Sequence, residues 1–455
     1  MGEIFKAYDI RGIYGSELTE DIAYKTARAL SQMIANEQSG RKLRLVVGSD
    51  MRVSSPSLKQ VVIQGILDEG HDVVDVGLVS TPAFYFAVAK YGYDGGMMVS
   101  ASHNPPQYNG LKMVRAGGVP VSRDTGIMRL RDQVMNNQNF GEKKSGGTVT
   151  TRDDIVKNDV AEAIQFASIQ NIKPYKIVAD AANAMGATYL RELFTKLPCE
   201  LIELNFELDG TFPAHEADPF KEENNQALMQ AVVEQRADLG ITTDGDGDRI
   251  FFVDNEGKLI EPAMVRGIMA QLFLEQFPGS TICYDIRPGR ITRDMIEQYG
   301  GKPSVTKVGH SLIKEQALKE GAVFAGESSG HFFVKLPHGT FEAPCIVVLK
   351  LLQYFSRSDQ PIADQIRPLR KYAHSGEINS TVADKDAVMA IIKSTYAPTA
   401  LAVAELDGIT IEYPDYWFNV RASNTEPLLR LNLEARSFDL CKEKTQELLK
   451  LIRTN

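Results

Sequence analysis

No stretch of this 455-residue chain approaches the ~18–20 consecutive apolar residues that span a bilayer, so no helical membrane protein is expected. The opening segment MGEIFKAYDIRG has no apolar core, and no secretory leader is expected from it. Lys6 stands where N-myristoylation would need Ser or Thr. Cysteine is scarce: Cys199, Cys283, Cys345 and Cys441 lie far apart with no paired spacing, so neither a zinc site nor a disulfide framework is expected. An excess of basic residues is also missing. The net charge of −9 argues against non-specific binding to nucleic acid or anionic membranes. The expectation is a reduced, cytoplasmic protein without nucleic-acid or membrane partners.

What is present is an ordinary globular composition, 43% apolar and 24% charged, in a chain too long for one core. The first third alternates strand and helix. LRLVVGS reads as a buried strand. Ser55 is placed to cap a helix with Pro56 in its first turn and Leu58, Val61, Val62, Ile66 and Leu67 on one face. DVVDVG then reads as a strand, PAFYFAVAKYG as a helix and GGMMVSAS as a third strand. The pattern restarts at YKIVADAAN and at STICYDIRPGR. Such alternation predicts parallel sheets covered by helices, with ligand loops at the carboxyl ends of strands. Strands WFNVRAS and LLRLNLEA, and an amphipathic helix from Asp439 to Ile452, set the C-terminal part apart. The expected fold is α/β: three mixed α/β sandwich domains over 1–150, 151–254 and 255–367, and a smaller α+β domain over 368–455.

Asp244-Gly-Asp-Gly-Asp-Arg249 lies between the apolar runs ADLGITT and RIFFVD. Three carboxylates at alternate positions can turn onto one hard cation such as Mg²⁺, and without a cation they would repel. A two-residue hairpin turn needs only one Asp-Gly. A helix-loop-helix calcium loop would want Gly where Arg249 stands and Glu where Asn255 stands. Other loops leave two readings open. In Ser100-Ala-Ser-His-Asn-Pro-Pro-Gln-Tyr-Asn-Gly110, Ser102 is either a presented nucleophile or part of an Asx-turn with His103 in water. As phosphoserine it would bring nearly two negative charges and acceptor oxygens to the aspartate loop. In Gly326-Glu-Ser-Ser-Gly-His331, Glu327 and Ser329 alternate, offering an acceptor and a donor to vicinal sugar hydroxyls, or form a plain polar turn. Arg421-Ala-Ser-Asn-Thr-Glu-Pro427 is either a capped turn or a nest for a phosphate held by Arg421, Ser423, Asn424 and Thr425. His310, with Lys307 and Lys314 near it, is either structural or part of a phosphate-side or proton-transfer loop. Arg11, Lys112, Arg249, Arg287, Arg421 and Arg430 stand beside these loops, which suggests a small anionic ligand.

Taken together, AYDIRG, SASHNPPQYNG, DGDGDR, GESSGH and RASNTEP resemble, in the same order, the motifs of the α-D-phosphohexomutases, in particular the bacterial phosphomannomutase/phosphoglucomutase group. The resemblance spans the chain. It implies four domains around a central cleft and reversible conversion of mannose 1-phosphate and mannose 6-phosphate, and of glucose phosphates, through a phosphoserine and a hexose 1,6-bisphosphate that also activates the enzyme. It implies Ser102 as the phosphorylated serine, and Asp244, Asp246, Asp248 and a phosphoserine oxygen as Mg²⁺ ligands, with Arg249 beside them. Glu327 and Ser329 would read the sugar hydroxyls. Arg421, Ser423, Asn424 and Thr425, with Arg430 nearby, would hold the non-reacting phosphate. Tyr8, Arg11, Lys112, His310 and His331 would line the cleft, with Lys112, His310 and His331 as candidates for proton transfer and charge stabilisation; His103, Arg11 and Arg249 are further candidate catalytic residues. Lys112 is the first choice of general base, its pKa lowered by Arg11 and desolvation. Ser100, Ser328 and Arg287 depart from the usual Thr, Met and Lys; Ser328 is expected to point away, and Arg287 serves either the phosphate or the fold. The expected partner is a hexose phosphate, and the expected state a monomer or weak homodimer. The alternatives are phosphoglucomutase as the main activity, then a phosphoglucosamine mutase, for which Gly would replace Asn424, then a metal-dependent sugar phosphatase, and a silent sugar-phosphate-binding protein.

Overall fold

The computed structural model describes residues 4–136, 140–168, 171–287, 289–422 and 428–454. They form two compact units: residues up to 260 together with 329–363, and 261–328 together with the residues from 364 onward.

In the first unit, strands Arg44–Ser49, Asp72–Leu78 and Gly95–Val99 run parallel, linked by helices Ser55–Leu67 and Thr81–Lys90. The parallel order ends at Val99, and the sheet is mixed, as the expected fold class has it. The loop over 100–107 is too short for a crossover, which takes a dozen or more residues. Tyr108–Arg115 therefore returns antiparallel beside Gly95–Val99, and Ile10–Ile13 pairs antiparallel outside it. This hairpin sets Lys112 on the strand that follows the Ser102 loop. The expected cap is also different. Ser54 is the residue preceding the helix, and Ser55 lies inside it, its hydroxyl donating to Asp50 instead of the helix backbone.

A second mixed sheet holds Lys176–Asp180 parallel to Glu200–Leu204 and Leu239–Thr243. Leu239–Thr243 is buried along its length and pairs antiparallel with Ile250–Asp254, in a register that joins Thr243 to Ile250. Residues 244–249 are thus the turn of a buried hairpin. Gly247 has φ +73° there, a conformation open to glycine at little cost. A further hairpin, Phe332–Leu336 with Gly339–Glu342, and helix Pro344–Phe355 belong to the same unit.

The second unit contains the parallel strands Lys302–Thr306, Thr281–Asp285 and Phe324–Gly326, covered by helices Pro262–Gln276, Arg290–Gln298 and His310–Glu320. It also contains an antiparallel sheet in the order Ala373–Thr381, Leu428–Ala435, Tyr416–Ala422, Ile409–Glu412, Ala402–Ala404. Helix Phe438–Thr454 buries Cys441, Thr445, Leu448 and Ile452, the one-sided burial expected of an amphipathic helix. Among the described residues no helix is long and apolar enough to cross a membrane.

Candidate active site

Ser102 is buried, with φ +49°. Non-glycine residues enter that region only when their surroundings enforce it. The enforcing group is Arg52, which is 1% exposed. Its two terminal nitrogens donate to the carbonyls of Ser102, Asn104, Pro105 and Tyr108 at 2.7, 2.6, 2.8 and 3.0 Å. Asp50 lies 3.2 Å from Arg52 Nε, and both side chains are fully buried. Arg11 fastens the loop from the other side, donating to Asn104 Oδ1 at 2.6 Å and pairing with Asp9. Asn104 is thus engaged by a guanidinium, and the loop is not a solvated Asx-turn.

The Ser102 hydroxyl donates to Asp244 Oδ2 at 2.6 Å and lies 3.2 Å from His103 Nδ1. The serine loop and the aspartate hairpin therefore meet, as the sequence required. Their backbones touch as well: a Cβ placed on Gly245 would lie 2.2 Å from the Ser102 carbonyl oxygen. Asp246 accepts from the Thr81 hydroxyl at 2.5 Å, and its carbonyl accepts from the Thr81 N–H at 2.9 Å.

Carboxylate oxygens of Asp244, Asp246 and Asp248 lie within 4.8 Å of one another, and all three side chains are buried. Asp246 Oδ1 is buried with no hydrogen-bond donor among the described residues. Convergent hard oxygen donors and an orphaned acceptor are what a magnesium-type cation satisfies, so the cluster fits one. Lys112 Nζ lies 2.6 Å from both Asp246 Oδ2 and Asp248 Oδ2. Burial alone would lower its pKa, but the two carboxylates hold it well above the usual lysine range. The expectation of a lysine tuned downward by Arg11 is not met, because opposite charge at contact distance outweighs both desolvation and a more distant cation. Burial and the neighbouring Asp248 and Asp246 push Asp244 well above the usual carboxylate range. Asp248 goes the other way: burial would raise it, but Lys112, His331 and Arg249 hold it well below.

Arg249 lies against the same cluster. Its N–H donates to Asp244 Oδ1 at 3.2 Å, and its guanidinium lies 3.7 Å from Asp218 and 3.4 Å from His331 Nε2. His331 Nε2 is 3.2 Å from Asp248 Oδ1, and its Nδ1 is 3.1 Å from the Ser329 hydroxyl. Burial, reinforced by Arg249 and Arg11, pushes His103 far below the usual histidine range, so its imidazole is neutral. Tyr8 lies half-buried just before strand Ile10–Ile13.

In the second unit, strand Phe324–Gly326 ends before Glu327; the chain turns at 328 and 329, where it passes into the first unit. The extended alternation expected for Glu327 and Ser329 does not continue through the loop, because the chain turns at 328 and 329. Glu327 Oε1 accepts from the Gly309 N–H at 2.9 Å and lies 3.8 Å from Arg287. His310 opens the helix that follows Gly309. Asp285 organises this loop: it binds Arg266 and Arg287 at 2.5 Å each and accepts from the Ser328 N–H and hydroxyl at 3.2 and 2.9 Å. Ser328 is therefore turned toward a buried carboxylate. Arg421 and Arg430 sit opposite each other on neighbouring strands. Ser423, Asn424 and Thr425 lie outside the described residues.

Sequence reading missed Arg52, Asp50, Thr81, Asp285 and Glu377, the last of which bonds Arg421 at 2.7 Å. The signal for the first two was available: an Asp-x-Arg directly after a buried strand, at the strand end where ligand loops gather.

The chain matches four family models in order: phosphoglucomutase/phosphomannomutase alpha/beta/alpha domain I over residues 2–139, domain II over 157–257, domain III over 262–372 and the C-terminal domain over 377–450. It is 37% identical to a phosphomannomutase of Escherichia coli over 462 residues, covering 99% of each chain. It is 36% identical to the phosphohexose mutases of Xanthomonas campestris over 454 residues, again covering 99% of each. Among solved structures, a phosphoglucomutase/phosphomannomutase family protein of Burkholderia thailandensis superimposes with a TM-score of 0.88 at 32% identity, covering 99% of this chain and 97% of that one.

The serine loop can be tested through two residues that do no chemistry themselves. Arg52→Met should strand buried Asp50 and four loop carbonyls, lowering unfolding free energy in urea by about 3–5 kcal/mol; a change under about 1 kcal/mol would contradict the clamp. Gly245→Ala should force the two loops apart, with a stability loss of about 1–3 kcal/mol and turnover reduced more than tenfold in the protein that remains folded.

Proposed function

The chain belongs to the α-D-phosphohexomutase family, and on that premise we propose that it is a phosphomannomutase interconverting mannose 1-phosphate and mannose 6-phosphate, with glucose phosphates as second substrates. The observation that carries this reading is the 2.6 Å contact between the Ser102 hydroxyl and Asp244, which puts a nucleophile-sized oxygen at the edge of a cation-binding cluster. Full-length relatives named phosphomannomutase support the choice of sugar.

In this reading Ser102 carries a phosphoryl group. In one half-reaction the bond from phosphorus to Ser102 Oγ breaks and a bond from phosphorus to the sugar's free hydroxyl oxygen forms; that hydroxyl gives up its proton, and Ser102 Oγ takes one up to leave as a hydroxyl. The resulting hexose 1,6-bisphosphate turns around, the bond between its other phosphorus and the sugar oxygen breaks as a bond to Ser102 Oγ forms, the Ser102 hydroxyl gives up its proton and the sugar oxygen takes one up. Added bisphosphate would therefore also activate unphosphorylated enzyme. A Mg²⁺ ion held by Asp244, Asp246 and Asp248 would supply charge neutralisation to the phosphoryl oxygens. Because such transition states are loose, positioning and charge provide most of the acceleration. Lys112, Arg11 and Arg249 are the cations placed for that work. Lys112, 2.6 Å from Asp246 Oδ2 and Asp248 Oδ2, is placed to neutralise charge on the transferring group. His331, with Asp248 at 3.2 Å, is the better acceptor, since a carboxylate partner stabilises the imidazolium that forms.

Glu327 and Ser329 would take the 3- and 4-hydroxyls of the sugar. Those hydroxyls are common to mannose and glucose, which differ at C2, so both can be handled. Arg421 and Arg430, with Ser423, Asn424 and Thr425, would hold the non-reacting phosphate at either C1 or C6, and Tyr8, Arg287 and His310 would complete the substrate's surroundings. A monomer or weak homodimer suffices for this chemistry.

Ser102→Ala should cut conversion of mannose 1-phosphate to mannose 6-phosphate by at least about a thousandfold. Chelation should abolish it, and added Mg²⁺ should restore it. Release of inorganic phosphate in place of the 6-phosphate would identify a phosphatase instead, and near-normal turnover by the alanine variant would end the mutase assignment.

A further inference from the structure

Arg421 and Arg430 are direct partners across the antiparallel pair Tyr416–Ala422 and Leu428–Ala435. Like charges so placed repel, and the counter-charge comes from the adjoining strand Ala373–Thr381. Glu377 Oε2 accepts from Arg421 Nη2 at 2.7 Å and from Asn432 Nδ2 at 3.3 Å, while Oε1 accepts from Arg430 Nη1 at 3.4 Å. One carboxylate thus bridges both guanidiniums. Asp407 stands farther off, 3.9 Å from Arg421 Nη1. The Nε atoms of both arginines are buried with no hydrogen bond among the described residues, so donor capacity remains. Burial would raise the Glu377 carboxyl, but Arg421 holds it below the usual range, so it is ionised at neutral pH.

A phosphate arriving at these guanidiniums must share them with a resident anion or displace it. Charge-assisted arginine–phosphate bonds are strong, and an intermediate that has to release one phosphate and present the other is poorly served by an unopposed pair. Resting on the mutase reading above, we propose that Glu377 is a positioning residue that sets the strength of the phosphate clamp: it orients Arg421 and Arg430 and competes with the substrate's non-reacting phosphate, keeping the grip loose enough for the bisphosphate to turn. Merely structural pairing would make its loss weaken the site. Competition makes its loss strengthen it.

The test is calorimetric titration of inorganic phosphate and of mannose 6-phosphate into the full-length protein and its Glu377→Gln variant. Both ligands should bind about tenfold tighter to the variant, a gain of about 1.4 kcal/mol, and in steady state KM and kcat should fall together as the bisphosphate leaves more slowly. Glu377→Asp, which keeps the charge but withdraws it from Arg430, should give a smaller gain of the same sign. Combining Glu377→Gln with Arg421→Ala should erase the gain, placing it at this clamp. Unchanged or weaker phosphate binding in both single variants would overturn the proposal. The binding readout needs no turnover: tighter phosphate in a protein lacking mutase activity would remove the proposed function and leave the role of Glu377, whereas normal mutase activity with unchanged affinity would do the reverse.

Discussion

Three carboxylates buried together at the turn of one hairpin are the constraint on which the first unit is built. Asp244, Asp246 and Asp248 sit within coordinating distance of one another, where desolvation and mutual repulsion would each oppose ionisation. Around them the fold collects basic side chains from separate parts of the chain: Lys112 from the serine-loop hairpin, and Arg249 and His331 from either side of an isolated bridge. The opposite pKa directions of Asp244 and Asp248 follow from that uneven distribution. Lys112 and His331 stand beside Asp248, whereas Asp244 has Arg249 and the Ser102 hydroxyl.

The serine loop is held to this cluster by atoms that take no part in any reaction. Arg52 spends its donors on backbone carbonyls, and its guanidinium stacks over Phe212 at 5.0 Å, a residue of the loop that follows strand Glu200–Leu204. A planar, permanently charged fork suits this task, which a lysine's point charge would not perform. The second unit repeats the device with opposite sign. Buried Asp285 gathers Arg266, Arg287 and Ser328 behind the Glu327 turn, and Glu377 gathers Arg421 and Arg430. In each case one charge holds several groups of opposite charge or polar character.

Much of this was legible in the chain. The strands LRLVVGS, DVVDVG, YKIVAD and LLRLNLEA announce themselves because buried strands need continuous or alternating apolar residues. The DGDGDR motif stands out because clustered like charge is too costly to occur without purpose. Ser55 was misread as a cap, since a serine before proline satisfies that pattern whether its hydroxyl turns to the helix or, as here, to Asp50. Arg52 was overlooked because a single Asp-x-Arg in a loop carries no periodicity, and its meaning lies in carbonyls some 50 positions away in the chain.

The sequence by itself determined the motif loops, their order and the family they point to, because those properties reside in local residue types and spacings. Only the tertiary structure decided how the groups are charged and which of them oppose one another. Lys112 came to lie against Asp246 and Asp248, and Glu377 became the neighbour of two arginines, because electrostatic effects depend on distance and burial, and neither is encoded at any single position.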